Sequence, residues 1–195
     1  KTIQKITDKY GDNGMAAAFR LGGDIGQRAK AIARALKQAV PGATRAGLSA
    51  VIGSWEFESG GLNPAAVNPN GGASGLGQWL YDRKTALLAY ARRHGKSWKD
   101  PATQINFAVN ADSTNSAILK RILRSSGTPS GLATEFSREW ERGGYNAQHV
   151  QGAMQVRKAL GFAKGGNHYG SGTYLVGEDG PELVSTDGKA HIDNH

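Results

Sequence analysis

The 195 residues include no cysteine and carry a formal net charge of +8, which excludes disulfides, thiol nucleophiles and cysteine metal sites and points to a polyanionic partner. With 38% hydrophobic residues, the chain can build one core of ordinary size plus a tail, and no apolar run reaches the roughly 18 residues of a membrane span. The charge is uneven: residues 1–160 hold 22 Lys and Arg against 11 Asp and Glu, and residues 161–195 hold 2 against 5. Nucleic acid and an anionic cell wall both suit a basic main domain, and charge alone does not choose between them.

The chain opens at Lys1 without Met and without the apolar region of a signal peptide, as expected of a segment cut from a longer polypeptide. Residues 1–26 read as a lead-in, with Gly22-Gly23-Asp24-Ile25-Gly26 as linker and cap rather than a phosphate loop. Ala29, Ile32, Ala33, Leu36 and Val40 recur at helical spacing opposite Arg28, Lys30, Arg34 and Lys37, which predicts an amphipathic helix over 27–40, ended by Pro41-Gly42. Thr44 caps a second helix over 45–58. Leu48, Val51, Ile52 and Trp55 form its stripe and Phe57 lies opposite, so most of its circumference is buried. Ser59-Gly60-Gly61 stops it. Residues 60–78 form an irregular loop or short strands.

Further helices are expected over 82–93 (Leu87, Leu88 and Tyr90 inward), 101–109 (capped by Asp100), 114–123, 132–140 and 148–160. This predicts a mainly α-helical domain over 27–162. A Gly-rich linker over 163–172 follows. A β-hairpin tail over 173–195 pairs Thr173–Val176 with Glu182–Val184 across a turn at 177–181.

The chemistry concentrates in Trp55-Glu56-Phe57-Glu58-Ser59-Gly60-Gly61 and Gly75-Leu76-Gly77-Gln78-Trp79. A glutamate among apolar neighbours at a helix C-terminus is expected to hold its proton, because burial and the negative helix end both disfavour its charged form. Such an acid can protonate a leaving glycosidic oxygen. Helical angles separate Glu58 from Glu56 only weakly. Glu58 is preferred because it is nearer the helix end and opens directly into the Gly-rich loop. A second carboxylate would have to stand across the sugar. Asp82 is the acid nearest the loop in sequence, but it reads as an N-cap, as do Asp100 and Asp112. Glu139 and Glu141 could approach only through the fold. The five histidines show no metal-ligand spacing, so neither a metal nor a cofactor is expected.

Glu58-Ser59-Gly60-Gly61-Leu62-Asn63-Pro64, Ala66-Val67-Asn68 and Gly72-Ala73-Ser74-Gly75-Leu76-Gly77-Gln78-Trp79 together resemble the phage tail lysozyme family. They are also similar to the wider group of transglycosylases and goose-type lysozymes, with their Glu-Ser and Gly-Leu-(Met or Gly)-Gln pattern. The likeness continues through Arg83, Tyr90-Ala91, Trp98, Gln104, Phe107 and Phe136 to Trp140-Glu141-Arg142, covering roughly residues 30–160. It implies a lysozyme-like helical fold with Glu58 as the catalytic acid. It also implies cleavage of the β-1,4 bond between N-acetylmuramic acid and N-acetylglucosamine, by hydrolysis or by transglycosylation. In the latter, one glutamate suffices and the substrate's acetamido group or 6-hydroxyl takes the second role.

Ser59, Asn68, Ser74, Gln78 and Trp79 are then candidates to line the sugar groove, and one of Trp55, Trp79 and Trp140 to stack on it. Tyr145 sits in a Tyr-Asn-Ala element similar to that of transglycosylases, but Gln148 replaces the glycine usual after it. The stretch 174–184 is similar to a Val-Gly-Glu-x-Gly-Pro-Glu motif of phage tape measure proteins. The two resemblances imply a virion-associated wall-cutting domain of a tail protein. Its partners would be bacterial peptidoglycan and other tail proteins, with no specific nucleic acid and no stable membrane insertion. The rival expectation is a non-catalytic module of a phage tail that binds wall or nucleic acid.

Overall fold

The computed structural model describes residues 15, 18–19, 24–113, 115–142 and 147–162, together with the backbone of four strands between 167 and 191. The described part is mainly helical, as the sequence predicts. The helices are α1 (Ile25–Ala39), α2 (Arg45–Glu58), α3 (Tyr81–Arg93), α4 (Pro101–Asn110), α5 (Ser116–Arg124), α6 (Pro129–Glu139) and α7 (Ala147–Ala159). Four of them start on side-chain caps: Asp24 accepts from Gly26 N, Thr44 from Gly47 N, Asp100 from Thr103 N and Thr128 from Gly131 N. Each of these bonds satisfies one of the donors that a first helical turn leaves unpaired.

Two expected caps differ. Asp82 lies inside the first turn of α3, whose N-cap Leu80 makes no side-chain bond. There its charge favours the helix N-terminus without capping it. Asp112 is buried and bonds the side chains of Trp79 and Arg83. On α3, Leu87 and Tyr90 are buried but Leu88 is exposed.

Helix α2 is the axis of the domain, buried without interruption from Gly47 to Trp55. Helix α7 crosses it at Gly53 and Gly152. A Cβ on Gly53 would stand 2.2 Å from Ala153 N, and one on Gly152 would stand 2.5 Å from Gly53 O. Only glycine allows backbones to approach this closely. The core centres on Trp55, Trp79 and Trp140, with ring centroids 6.2–6.4 Å apart in tilted and edge-on pairs. Phe107 meets Trp79 edge-on and Phe136 stacks on Trp140, geometries that aromatic quadrupoles favour.

The loop between α2 and α3 is ordered by its own backbone hydrogen bonds, such as Asn68 N to Ala73 O and Gly75 N to Ala66 O, both at 2.8 Å. Gly60, Gly61 and Leu62 all have positive φ, so the chain reverses as soon as α2 ends. Isolated antiparallel bridges join Val67 to Ser74 and Ser74 to Trp79. Fully buried Gln104 fastens the loop to α4. It accepts from Leu76 N at 2.8 Å and donates to Pro64 O and Trp98 O at 2.7 Å. In the tail, β2 (Gly172–Val176) pairs antiparallel with β3 (Glu182–Thr186) in the register Tyr174 to Val184, and β1 (Asn167–Tyr169) with β4 (Lys189–His191). The first pair is the expected hairpin, and the second is additional. The expected turn at 177–181 and most of the 1–26 lead-in lie outside the described residues.

Candidate active site

Glu58 is the last residue of α2, one turn beyond buried Trp55. Its side chain keeps 28% of its surface exposed. Its neighbour Ser59 is buried and donates its hydroxyl to Trp55 O at 2.5 Å. This bond satisfies a carbonyl at the helix end. Arg28 of α1 donates to Gly61 O at 2.9 Å and so holds the chain just beyond the acid.

The partner of Glu58 is His149. The His149 side chain is only 1% exposed, and its Nε2 lies 3.0 Å from Glu58 Oε1. The other ring nitrogen, Nδ1, lies 3.3 Å from Glu141 Oε2. That contact is close but off the line of a hydrogen bond, and His149 Nδ1 is buried without a hydrogen-bond partner, as is the other Glu141 oxygen, Oε1. The ring of Phe57 covers the imidazole, with centroids 5.2 Å apart. The three side chains form one cluster, in which an oxygen of each carboxyl and a nitrogen of the imidazole lie within 4.8 Å of one another.

The group that burial keeps protonated in this cluster is Glu141. Desolvation, helped by the nearby Glu58 charge, pushes it up to about 9, against the opposing pull of the Ser137 hydroxyl and the Arg83 charge. Burial also raises Glu56. Glu56 faces a cleft of about 320 Å³ between α1 and α7, lined by Asp24, Lys30 and Gln155 among others.

Two arrangements hold the cluster in place. Glu58 and His149 meet because each lies about one turn from the Gly53–Gly152 crossing. Glu141 is placed by its neighbour Trp140, whose ring lies under the Arg83 guanidinium at 4.5 Å and whose carbonyl accepts from Asn115 at 3.0 Å. Arg83 in turn is fixed by Asp112 at 2.7 Å, and Asp112 also accepts from Trp79 Nε1 at 3.1 Å.

The expected groove residues divide into two sets. Asn68 is exposed, and its Oδ1 accepts from Asn70 N at 2.9 Å. Gln78 is half-buried at positive φ, with Nε2 donating to Gly75 O at 2.9 Å. Ser59, Ser74 and Trp79 are buried, and Ser74 donates to Gly72 O at 3.1 Å. These three support the loop from within. The expectation that a tryptophan stacks on sugar is corrected likewise, since Trp55, Trp79 and Trp140 all lie in the core. The large aromatic that the end of this loop exposes is Tyr81, 81% accessible. Tyr145 lies outside the described residues. Of the other acids considered, Glu139 bonds Arg121 at 2.6 Å on the surface, and Asp100 caps α4.

His149 escapes a search for metal spacing. Its signal lay in periodicity: His149, Gly152, Ala153 and Val156 share the buried face of α7, and a histidine on such a face needs polar partners. Glu58, Glu141 and His149 do have the ligand types of a metal site, with one candidate atom from each lying within 4.8 Å of the others.

A family model described as phage tail lysozyme matches residues 27–160. No curated protein matches the chain.

Proposed function

The chain belongs to the phage tail lysozyme family, and from that premise we propose that it cleaves the β-1,4 bond between N-acetylmuramic acid and N-acetylglucosamine, with Glu58 as its general acid. The family gives a lysozyme-like domain acting on peptidoglycan in the setting of a phage tail. In our reading this segment is the wall-cutting part of a tape measure or related tail polypeptide, carried in the virion and opening the host wall locally during infection.

The observation that carries the reading is the placement of Glu58. It is a part-exposed carboxyl at the end of a buried helix, hydrogen-bonded to a buried histidine and opening into a Gly-rich loop fastened to the core. A rigid helix fixes one side of a catalytic carboxyl, and glycines let a substrate approach closely on the other.

A single acid fits the surroundings. Among the described residues, Asp112, Glu139 and Asp100 are engaged elsewhere, and Glu141 stands on the buried side of the Glu58 cluster with 15% of its side chain exposed. Either water or the sugar's own 6-hydroxyl then completes the reaction. Asn68 and Gln78 are the loop side chains we assign to sugar contacts, with Tyr81 as the exposed aromatic beside them.

The test is mass spectrometry of the products released from purified peptidoglycan by this chain and by its Glu58→Gln variant. We expect muropeptides from the unmodified protein and a loss of roughly 10²–10⁴-fold in the variant, the usual contribution of a positioned proton donor. Reducing ends would identify hydrolysis, and 1,6-anhydro ends transglycosylation. Undiminished release by Glu58→Gln would overturn the assignment of the acid.

A further inference from the structure

We propose that Glu58, Glu141 and His149 form a binding site for one divalent transition-metal ion, with zinc as the ion that fits best, and that filling it switches the enzyme off by taking Glu58 as a ligand. The switch rests on the reading of Glu58 as the acid, whereas the metal site stands without it.

The three side chains converge as ligands do. An oxygen of each carboxyl and one nitrogen of the ring lie within 4.8 Å of one another. Around a tetrahedral zinc, ligand atoms at about 2.0–2.1 Å from the ion stand roughly 3.3 Å apart. The closest contacts of the cluster have that spacing, 3.0 Å from Glu58 Oε1 to Nε2 and 3.3 Å from Glu141 Oε2 to Nδ1. They go to different ring nitrogens, so bringing both carboxyls to one nitrogen takes a carboxyl rotation. The terminal torsion of a glutamate is soft, and Glu58, at a helix end with 28% of its side chain exposed, is free to make it.

A cation would also supply what the cluster lacks. His149 Nδ1 and Glu141 Oε1 are buried without hydrogen-bond partners, and the His149 side chain is only 1% exposed. Buried carboxylates are paired or coordinate a metal. Arg83, the cation facing Glu141, is held by Asp112 at 2.7 Å. A divalent ion balances two carboxylates, and an imidazole nitrogen in the donor set favours zinc and its neighbours over calcium or magnesium. Around the ligands, the Ser137 hydroxyl bonds Glu141 and the Phe57 ring covers the imidazole, the polar and apolar support that metal ligands need. The exposed part of Glu58 is the way in, and three protein ligands leave the fourth position to water. The ligands come from α2, from α7 and from the segment just after α6, so no spacing along the chain announces them.

Zinc enters as its hydrated ion, and any carboxyl proton it displaces leaves to solvent. A Glu58 oxygen bound to the ion cannot carry the proton that the glycosidic oxygen must receive. Removal of the ion returns the acid to use.

The experiment titrates zinc chloride into the chelator-treated chain, Glu58→Gln and Glu141→Gln, reading heat, melting temperature and the ¹⁵N shifts of the His149 ring. In the unmodified chain one zinc should raise the melting temperature, as an ion bound only by the folded state must, and shift a His149 ring nitrogen. Each variant should bind roughly a hundredfold more weakly or worse, since even outer-shell changes cost about 10–100-fold. Muropeptide release should be full in EDTA and fall roughly 10²–10⁴-fold at zinc concentrations that fill the site, as loss of the acid requires. Zinc bound equally well by both variants has gone to other histidines and overturns the site. A His149 ring unmoved by zinc overturns it as well, even if Glu141→Gln fails to fold. Release that stays unchanged once the site is filled overturns the switch, and so does release that requires zinc. Failure of the acid reading looks different: in EDTA the unmodified chain releases no muropeptides, or Glu58→Gln releases as many, whatever the zinc titration shows.

Discussion

A carboxyl held protonated inside a protein lowers its stability as the pH rises. Glu141 has its folded-state pKa raised from 4.5 to about 9. Below about pH 4.5 both folded and unfolded chains carry the proton, and the group costs nothing. Above that value the unfolded chain releases its proton while the folded one keeps it, so stability falls with pH until the folded group also ionises near 9. The loss at neutral pH is on the order of 3 kcal/mol by linkage. Glu141→Gln removes the titration, so its melting temperature should exceed that of the unmodified chain by several degrees near neutrality. The gain should vanish as the pH approaches 4.5, and thermal scans over that range would show it. A uniform gain at every pH would mean that packing, not ionisation, is responsible. Asp112 behaves oppositely. It is a buried acceptor for both Arg83 and Trp79, and Asp112→Ala should destabilise the domain by roughly 3–5 kcal/mol, as when one member of a buried ion pair is removed. Denaturant titration measures this directly.

At the scale of elements, the site exists because two helices cross at glycines. A methyl on Gly53 would collide with the backbone of α7, which cannot turn aside as a flexible side chain can. Gly53→Ala should therefore push the helices apart and lengthen the Glu58–His149 contact. We expect a loss of roughly 1–3 kcal/mol in stability and a larger proportional loss of muropeptide release, whereas Gly42→Ala, at a position with open space around it, should cost only its positive-φ strain. Equal activity per folded molecule in Gly53→Ala would show that the crossing does not set the site. This dependence explains what could be read in advance. Helix α2, its Thr44 cap, its stop at Ser59 and the prominence of Glu58 are local, written within some fifteen consecutive residues by periodicity and glycine placement. The meeting of Glu58 with His149 joins positions 91 residues apart and follows from a helix crossing that no local pattern announces. The burial of Trp79 was hidden for a related reason. It is decided by Asp112 and the facing tryptophans, which come from distant parts of the chain, and a Gly-Gln-Trp turn reads alike whether its ring faces core or solvent.

For the whole molecule, the relevant quantity is the field of a domain whose residues 1–160 carry twice as many basic as acidic groups. Bacterial walls rich in anionic polymers would attract such a surface over distances set by screening, about 10 Å at 0.1 M salt and about 3 Å at 1 M. Attraction of this kind raises the rate of encounter and the local concentration of enzyme without altering the chemical step. Rising salt should accordingly depress release from intact walls severalfold, while cleavage of short uncharged glycan fragments stays nearly constant. Lys30 and Arg34 lie on the exposed face of α1, and reversing both to Glu should lower the rate on walls at low salt and leave the rate on fragments untouched. The two proteins should converge as salt is raised. A salt response of the same size on charged walls and neutral fragments would place the effect at Glu58 and its partners, and the basic surface would then have no part in finding the wall.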